Sequence, residues 1–552
     1  MNRSHLQWIK VGLLALLVVN LDLAAAPAPD VVAPVAGALP APRTPVPGPA
    51  PRINGPTIFG VRPNSPFLYA IPVTGERPVS FAVTGLPEGL KLDAATGRIT
   101  GTLAQPGTCP VTISVKSRVG TAQKPFRIVV GEDIALTPPM GWNSYNVWSL
   151  GINQERTLAA ARAMIASGLD RHGWAYVNMD DGWQGKRGGP SNAMQADANR
   201  FTDIKQMCAD IHDLGLKVGI YHTPWVESYG GRPGGTSEDS TGLWSPKQQW
   251  PGKHESNKKV LPRAIGRYSF SAADARQFAD WGIDYLKYDW APVEGPETRE
   301  IADALRASGR DIVLSISNNH TKSLFAGIQE VAPLAQAWRT TGDINDSWGS
   351  VNGIGFNQDK WAPFARPGHW NDPDMLVVGY VGWGKPRPTK LTPDEQYTHV
   401  SLWALLSAPL LIGADMEKLD AFTLGLLTND EVIEVNQDAL GKQATRVAGN
   451  KGDLVVYAKP LEDGSWAVGL FNLGATEATV SVKWSDLGLN GPQAVRDLWR
   501  QKELGSQGEG YSVKVASHGA ELVRVGRPLS RYRDQQSGRH SPVGTISPRT
   551  LR

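Results

Sequence analysis

Residues 280–290 read DWGIDYLKYDW. Tyr285 to Tyr288 is a short, mostly apolar run bounded by Gly282 on one side and Asp289-Trp290 on the other, the pattern of a buried strand. The spacing of apolar residues from Ala272 to Trp281 predicts a helix before it, and that from Glu297 to Ala307 a helix after it. Side chains alternate along a strand, so Tyr285, Lys287 and Asp289 share one face and Leu286 and Tyr288 the other. Strand enclosed by helices is the signature of a parallel βαβ unit.

The same alternation recurs on both sides. Strands are predicted at Gly141–Ser144, Tyr176–Met179, Lys217–Tyr221, Ile312–Ser315, Ala335–Arg339, His369–Trp370 with the loop that follows, and Pro409–Gly413. Helices are predicted at Gln154–Ser167, Ile204–Leu214, Pro393–Leu406 and Leu424–Val435. Eight strands within 137–440 predict an α/β fold, a (β/α)8 TIM barrel. The rest of the 552 residues divides around it. Residues 1–26 carry Arg3 and Lys10, an apolar run from Val11 to Val19 and three alanines, a signal peptide too short in its apolar part for a stable membrane span and implying a secreted or periplasmic location. Residues 27–51, rich in Pro and Ala, read as an extended linker. Residues 52–132 contain short β-branched runs (PFLYAIPV, VSFAVTG, GRITGTL, CPVTISVKS, PFRIVVGE) and predict an Ig-like β-sandwich. Residues 441–527 return to strand patterns and predict a C-terminal antiparallel β domain. The basic, aperiodic stretch 528–552 is expected to be disordered.

Composition narrows the function. The formal charge of +3 is accounted for by the last 25 residues, which hold five Arg against one Asp, so nucleic acid is not indicated. Two cysteines, Cys109 and Cys208, cannot build a disulfide framework or a Cys-based zinc site, and are expected to stay unpaired. The 19 Trp outnumber the 12 Phe, which suggests either flat rings offered to a sugar or a Trp-rich core.

Acids close several of the strands, where barrels carry their chemistry. Lys287 beside Asp289 would favour an ionised carboxylate suited to nucleophilic attack, or would be a structural ion pair. Asp180 and Asp181 end the second strand, and adjacent carboxylates call for donors such as polyol hydroxyls or for a metal, although the spacing does not continue as in a cation loop. In WRTTGDINDSW, Asp343 lies near Arg339. Facing Asp289 it would resist ionising and serve as a general acid, whereas Asp346 reads as a helix cap. Asp372 and Asp374 in GHWNDPDML read as a turn. No nucleotide, zinc-protease or serine-hydrolase motif is present. Paired carboxylates with interleaved Trp and no cofactor motif describe glycoside hydrolysis.

In order along the chain, TPPMGWNSYN, YVNMDDGWQG, LGLKVGIY, DWGIDYLKYDW, WRTTGDINDSW, GHWNDPDMLVVG, LWALLSAPLLIGAD and VIEVNQDALGKQ resemble the alpha-galactosidases of glycoside hydrolase family 27, over about 137–527. The segment FAVTGLPEGLKLDAATGRITGTL resembles the Ig-like repeats of secreted bacterial enzymes. The family resemblance implies release of terminal alpha-linked galactose from oligo- or polysaccharides by a retaining double displacement, with no metal or cofactor. Asp289 would be the nucleophile and Asp343 the acid/base, with carboxyls ~5–5.5 Å apart. It also implies a sugar pocket of Trp142 as apolar wall, Asp180 and Asp181 for the 6- and 4-hydroxyls, Tyr221, Lys287, Arg339 on the 2-hydroxyl side, and Asp374. Ser317, where eukaryotic members carry a Glu, and the nearby His320 bear on the 2-position, leaving an alpha-N-acetylgalactosaminidase or another pyranosidase as the alternative. A non-catalytic carbohydrate-binding protein is the alternative of a different class. The long loop from Thr223 to Arg267 is expected to lie over the site. Oligomeric state has no signature in the sequence.

Overall fold

The computed structural model describes residues 39–242, 253–254, 264–317, 321–449 and 452–526. The predicted signal peptide, the basic tail, His320 and part of the long loop lie outside the described residues. Eight strands form one parallel sheet: β1 (Met140–Asn143), β2 (Tyr176–Asn178), β3 (Lys217–His222), β4 (Tyr285–Asp289), β5 (Val313–Ser317), β6 (Ala337–Arg339), β7 (Trp370–Asp372) and β8 (Leu410–Ile412). Each pairs with its neighbour in chain order from β1 to β7, and β8 returns to β1. A parallel bridge between Leu376 and Ile412 joins the segment after β7 to β8 and closes the ring. These strands are apolar on both faces because one face meets helices and the other fills the barrel. Ile134, Tyr285, Val313, Met375 and Leu411 plug its amino-terminal end.

Among the described residues seven helices cover the ring, four of which start at a residue whose side chain caps them. They are α1 (Gln154–Ala166), α2 (Ile204–Asp213), α3 (Ser271–Trp281), α4 (Gly295–Ala307), α5 (Thr321–Val331), α6 (Trp348–Gly355) and α7 (Pro393–Leu405). Asn153 and Asp203 accept from Arg156 N and Gln206 N, and Thr392 with Glu395 forms a reciprocal capping box. The predicted helix Leu424–Val435 is two helices, Ala421–Leu427 and Asp430–Asn436. Asn429 breaks it, because its side chain accepts from Glu431 N and Val432 N and caps the second. The expected cap at Asp346 is instead Ser347, which accepts from Ser350 N, while Asp346 binds Arg387 and the Lys390 amide.

The amino-terminal module packs a four-stranded sheet (Ser80–Thr84, Gly107–Ser117, Gly120–Val130, Ile58–Val61) against a three-stranded one around Phe67, Phe81, Ile99, Ile113 and Ile128. It sits under the amino-terminal end of the barrel: Arg62 N donates to Asp311 Oδ2 at 2.9 Å, Asp311 N to Ser65 Oγ at 2.7 Å, and Lys217 Nζ lies 4.6 Å from the Phe59 ring centre. The opposite end, where the strands finish in acids, is left clear of it. The described part of the Pro-rich stretch does more than span a gap. Arg43 donates to Asp394 at 2.8 Å, stacks on Tyr397, and reaches the Ala520 carbonyl, tying the barrel to the C-terminal domain. Extended Pro-rich backbone makes no internal hydrogen bonds, so its polar groups find partners elsewhere.

The C-terminal domain is a six-stranded antiparallel sheet with a two-stranded ribbon. It packs on α7, which is buried along nearly its whole length between sheet and barrel, with Trp499 Nε1 donating to Ser401 Oγ at 2.8 Å. Most described tryptophans are core. Trp142, Trp174, Trp183, Trp290, Trp338, Trp361, Trp370, Trp403, Trp484 and Trp499 are among the largest fully buried side chains, so the Trp excess is mainly packing and not a sugar platform. Cys109 and Cys208 are both free thiols. Among the described residues no helix is long and apolar enough to cross a membrane.

Candidate active site

The carboxyl ends of β2 to β7 gather the predicted acids in one buried pit. Asp180 and Asp181 follow β2, Tyr221 lies in β3, Lys287 and Asp289 in β4, Ser317 ends β5, Arg339 ends β6 and Asp374 follows β7. Asp180, Asp181, Asp289, Ser317, Arg339 and Asp374 are all buried. They sit at strand ends because side chains at the last inward position of each strand are the first not covered by the next layer of barrel residues.

Lys287 Nζ donates to Asp180 Oδ2 at 2.8 Å, and the Asp181 amide donates to Asp180 Oδ1 at 2.8 Å. Asp181 in turn accepts from Gln184 Nε2 at 3.0 Å, Ser228 Oγ at 2.9 Å and Gly230 N at 2.7 Å. The adjacent carboxylates are therefore held apart by protein donors. Burial still raises the Asp181 pKa, with these donors opposing it. On the far side Arg339 bridges two acids, reaching Asp343 Oδ1 at 3.1 Å and Asp374 Oδ2 at 3.0 Å. Asp374 also accepts from Ile344 N at 2.8 Å and donates its own amide to Asp372 Oδ1 at 2.8 Å, in the left-handed conformation with φ 81°. The pair expected to be a plain turn is thus the anchor for Arg339 and for the loop carrying Asp343. Burial pushes the Asp372 carboxyl up to about 6, against the attraction of Arg339.

The two candidate catalytic acids depart from the expected proton distribution. Burial pushes Asp289 up to about 7, against the Lys287 ammonium and helped by the nearby charges of Asp343 and Asp180. Desolvation works against the charge on Asp343 too, but Arg339 and then Lys287 hold its pKa below the usual value. The cause is where the cations are spent: Lys287 binds Asp180, and Arg339 binds Asp343, whereas no hydrogen bond from a described residue reaches the Asp289 carboxylate. The cations therefore favour the charge on Asp343 and leave Asp289 the more readily protonated of the two. Tyr221 lies beside it, its hydroxyl buried with no hydrogen-bond partner among the described residues and its ring 5.6 Å from Lys287 Nζ.

Trp142 belongs to the hydrophobic core of the barrel. It is completely buried and its Nε1 donates to the Ala414 carbonyl at 2.8 Å. The half-exposed aromatic on that side is Tyr145, just past β1, whose ring lies 5.7 Å from Lys287 Nζ and whose pKa burial and then Asp180 raise. Its position three residues beyond Trp142, after the strand ends, is the signal that distinguishes it. Gln184, three residues from Asp181, was similarly open to inspection; Ser228 and Gly230 are not, since only folding brings them there. Among the described residues no cluster of His, Cys, Asp and Glu is arranged to hold a metal ion.

Residues 137–241 and 258–438 match the family described as Alpha galactosidase A, 451–525 match the Alpha galactosidase C-terminal beta sandwich domain, and 50–131 match an Ig domain family. Alpha-galactosidase 2 of Arabidopsis thaliana is 37% identical over 412 residues, 73% of this chain and 92% of that one. A solved structure from Bacteroides fragilis, described as a presumptive alpha-galactosidase, superposes with TM-score 0.76 at 32% identity, covering 86% of this chain and 98% of the other. A β-L-arabinopyranosidase of family GH27 from Geobacillus stearothermophilus superposes with TM-score 0.60 at 28% identity, covering 72% and 98%. With its barrel and its C-terminal domain both matched, the chain belongs to the alpha-galactosidase family of glycoside hydrolases.

Proposed function

We propose that the protein is an exported, retaining exo-alpha-galactosidase that removes terminal alpha-linked galactose from oligo- or polysaccharides. The observation that carries this reading is the asymmetric environment of two neighbouring acids, Asp289 buried at the end of β4 and Asp343 at the mouth, where its side chain is 72% exposed. A buried carboxylate under the ring and an exposed one beside the leaving group is the division of labour of a double displacement. The acids gathered at the ends of β2 to β7 are almost wholly buried apart from Asp343, which suits the end of a chain rather than its middle.

In the first step an Asp289 oxygen bonds the anomeric carbon as the glycosidic C–O bond breaks, and the leaving oxygen takes the proton of Asp343. In the second, water gives a proton to Asp343 while its oxygen bonds the anomeric carbon and expels Asp289. The competent arrangement has the proton on Asp343 and the charge on Asp289, and because the two carboxyls interact their protons come off as a pair. Tyr145 supplies the flat apolar ring, Asp180 and Asp181 accept the 6- and 4-hydroxyls, Lys287 steadies that edge, and Arg339 keeps Asp343 and Asp374 in place. Ser317 faces the region of the 2-hydroxyl.

The decisive measurement is the anomer first released from an alpha-galactoside, followed by proton NMR before mutarotation. Alpha-galactose is the expected product, whereas beta-galactose would refute the double displacement. Export is supported by the pattern of residues 1–26 and is tested by amino-terminal sequencing of the mature enzyme from the extracellular and periplasmic fractions.

A further inference from the structure

We propose that His518, in the C-terminal domain, is a positioning residue for the acid/base carboxylate: by stacking on Trp348 it fixes the far leg of the loop that carries Asp343. This role rests on the reading of Asp343 as the group that protonates the leaving oxygen.

Asp343 stands on the loop between β6 and α6 with its side chain 72% exposed, so little packing of its own holds it. The near leg of the loop is tied to β7 and the segment after it. Thr340 N donates to the Asp372 carbonyl at 2.9 Å, and Ile344 N to Asp374 Oδ2 at 2.8 Å. The far leg runs from Asn345 into α6. There Asp346 accepts from Arg387 Nη2 at 3.2 Å and from Lys390 N at 2.8 Å, and half-buried Trp348 opens the helix. The Trp348 ring lies against the His518 ring with centroids 4.3 Å apart and planes 12° from parallel. Such a contact between two flat rings is oriented, unlike aliphatic packing.

His518 is itself held in place. It sits in the turn between the ribbon strand Gly510–Val515 and the sheet strand Ala520–Val525, with φ 55° in the left-handed region. Its Nδ1 lies 2.8 Å from Glu395 Oε1, and since a carboxylate only accepts, Nδ1 is the donor. Thr398 Oγ1 donates to the His518 carbonyl at 2.6 Å. Glu395 and Thr398 both belong to α7, and Glu395 Oε2 meanwhile accepts from Thr392 N in the capping box.

The same helix governs the near leg. Trp403 Nε1, also on α7, donates to the Asp374 carbonyl at 2.6 Å. The last turn of α6 lies against it so closely that a Cβ on Gly355 would stand 2.6 Å from Leu402 Cδ2 and 2.9 Å from Trp403 Cζ3. One buried helix therefore sets both legs of the loop, one through Asp374 and the other through His518 and Trp348. Without the His518 ring the start of α6 loses its lateral stop, and Asp343, just upstream, can swing. A misplacement of ~1 Å in a reacting group can cost on the order of 100-fold, and a loop held by one leg should lose part of that. The loss falls on proton transfer, which an alkoxide leaving group needs and a nitrophenolate hardly does.

The experiment compares kcat/KM of the full chain for methyl alpha-D-galactopyranoside and 4-nitrophenyl alpha-D-galactopyranoside in wild type, His518→Asn and His518→Phe. Asn removes the ring and tolerates the positive φ. In His518→Asn the methyl galactoside is expected to fall about tenfold while the nitrophenyl galactoside stays within about twofold of wild type. His518→Phe, which keeps a flat ring against Trp348, should hold both substrates within about threefold. Equal loss on both substrates in His518→Asn assigns His518 a merely structural role and overturns the proposal, as does no loss on either. A His518→Phe variant as selective in its loss as His518→Asn shows that the stack is not what acts and overturns it too. Asp343→Asn sets the scale with the same selectivity, only larger; if it spares both substrates, or if wild type hydrolyses neither, it is the proposed function that fails. Should His518→Asn not fold, Trp348→Leu removes the other ring of the stack and carries the same comparison.

Discussion

Replacing Asp289 by Asn should destroy turnover and, at the same time, stabilise the folded protein in a pH-dependent way. The wild-type carboxyl is pushed from its usual 3.8 up to about 7, chiefly by burial. Its folded pKa lies above its unfolded one, so between those values the folded state holds more protons, and wild-type stability falls as pH rises through that window. A shift of roughly three units corresponds to ~4 kcal/mol once both states are ionised. At pH 5 only the part between 3.8 and 5 has accumulated, ~2 kcal/mol. Asn has nearly the same shape and no charge to bury, so Asp289→Asn should be more stable than wild type by ~2 kcal/mol at pH 5 and by ~4 kcal/mol above pH 7. Discounting for relaxation around the carboxylate, half of these values would still be measurable. The assay is urea unfolding followed by tryptophan fluorescence at pH 5, 6, 7 and 8, beside hydrolysis of a nitrophenyl alpha-galactoside. Turnover should drop by a factor on the order of 10^4. A stability gap that does not widen with pH, or a variant less stable than wild type at pH 8, would mean that Lys287 keeps Asp289 ionised in the empty site, and the proton assignment made here would be wrong.

The kcat/KM profile of wild type should decline above about pH 7, where the acid pair loses its shared proton, and Lys287→Met should move that limb upward because the ammonium opposes protonation of Asp289; a pH–rate profile whose basic limb does not move would count against it. Asp284, held at about 2 by Arg310 and His212 despite its burial, should contribute stability above pH 4 that is lost progressively as pH falls toward 2. Arg310→Ala leaves that carboxylate short of its guanidinium and should cost roughly 3 kcal/mol at pH 7, with the gap narrowing at pH 3; urea unfolding at the two pH values checks the sign.

The barrel was legible because its evidence is local. Each parallel strand is buried on both faces, so it stands out as an apolar run, and each productive strand ends in a polar residue that has no place in the layer above it; Tyr285–Asp289 contains both signals in five residues. The same locality explains the candidate acids, which all fall within a few residues of a strand end. What was misread depended on partners. Trp142 and Tyr145 differ by one turn of chain, and only the carbonyl of Ala414, brought by β8 to the neighbouring strand, shows which of them is buried. The Pro-rich stretch has the composition of a spacer, yet Arg43 meets Asp394 and Tyr397 more than 350 residues away. Asn429 broke a helix whose apolar periodicity was continuous, since a cap competes with the helix it interrupts.

Proton placement lies at the end of this series. Lys287 stands two residues from Asp289 and shares its face, which made it the natural counter-ion from sequence alone. In the fold it reaches across to Asp180, 107 residues away, and that carboxylate, not Asp289, takes the hydrogen bond. Arg339 does the same to the other acid, so the group predicted to keep a proton is the one beside a guanidinium. The identity of a catalytic group is a property of its own strand, but its charge is set by whichever cations other strands supply. A barrel with several acids and two cations at its mouth has more ways of pairing them than a sequence can decide. On the proposed mechanism, Asp289 is the acid left without a hydrogen-bonding cation, so the proton has to lie on Asp343 before the leaving oxygen departs.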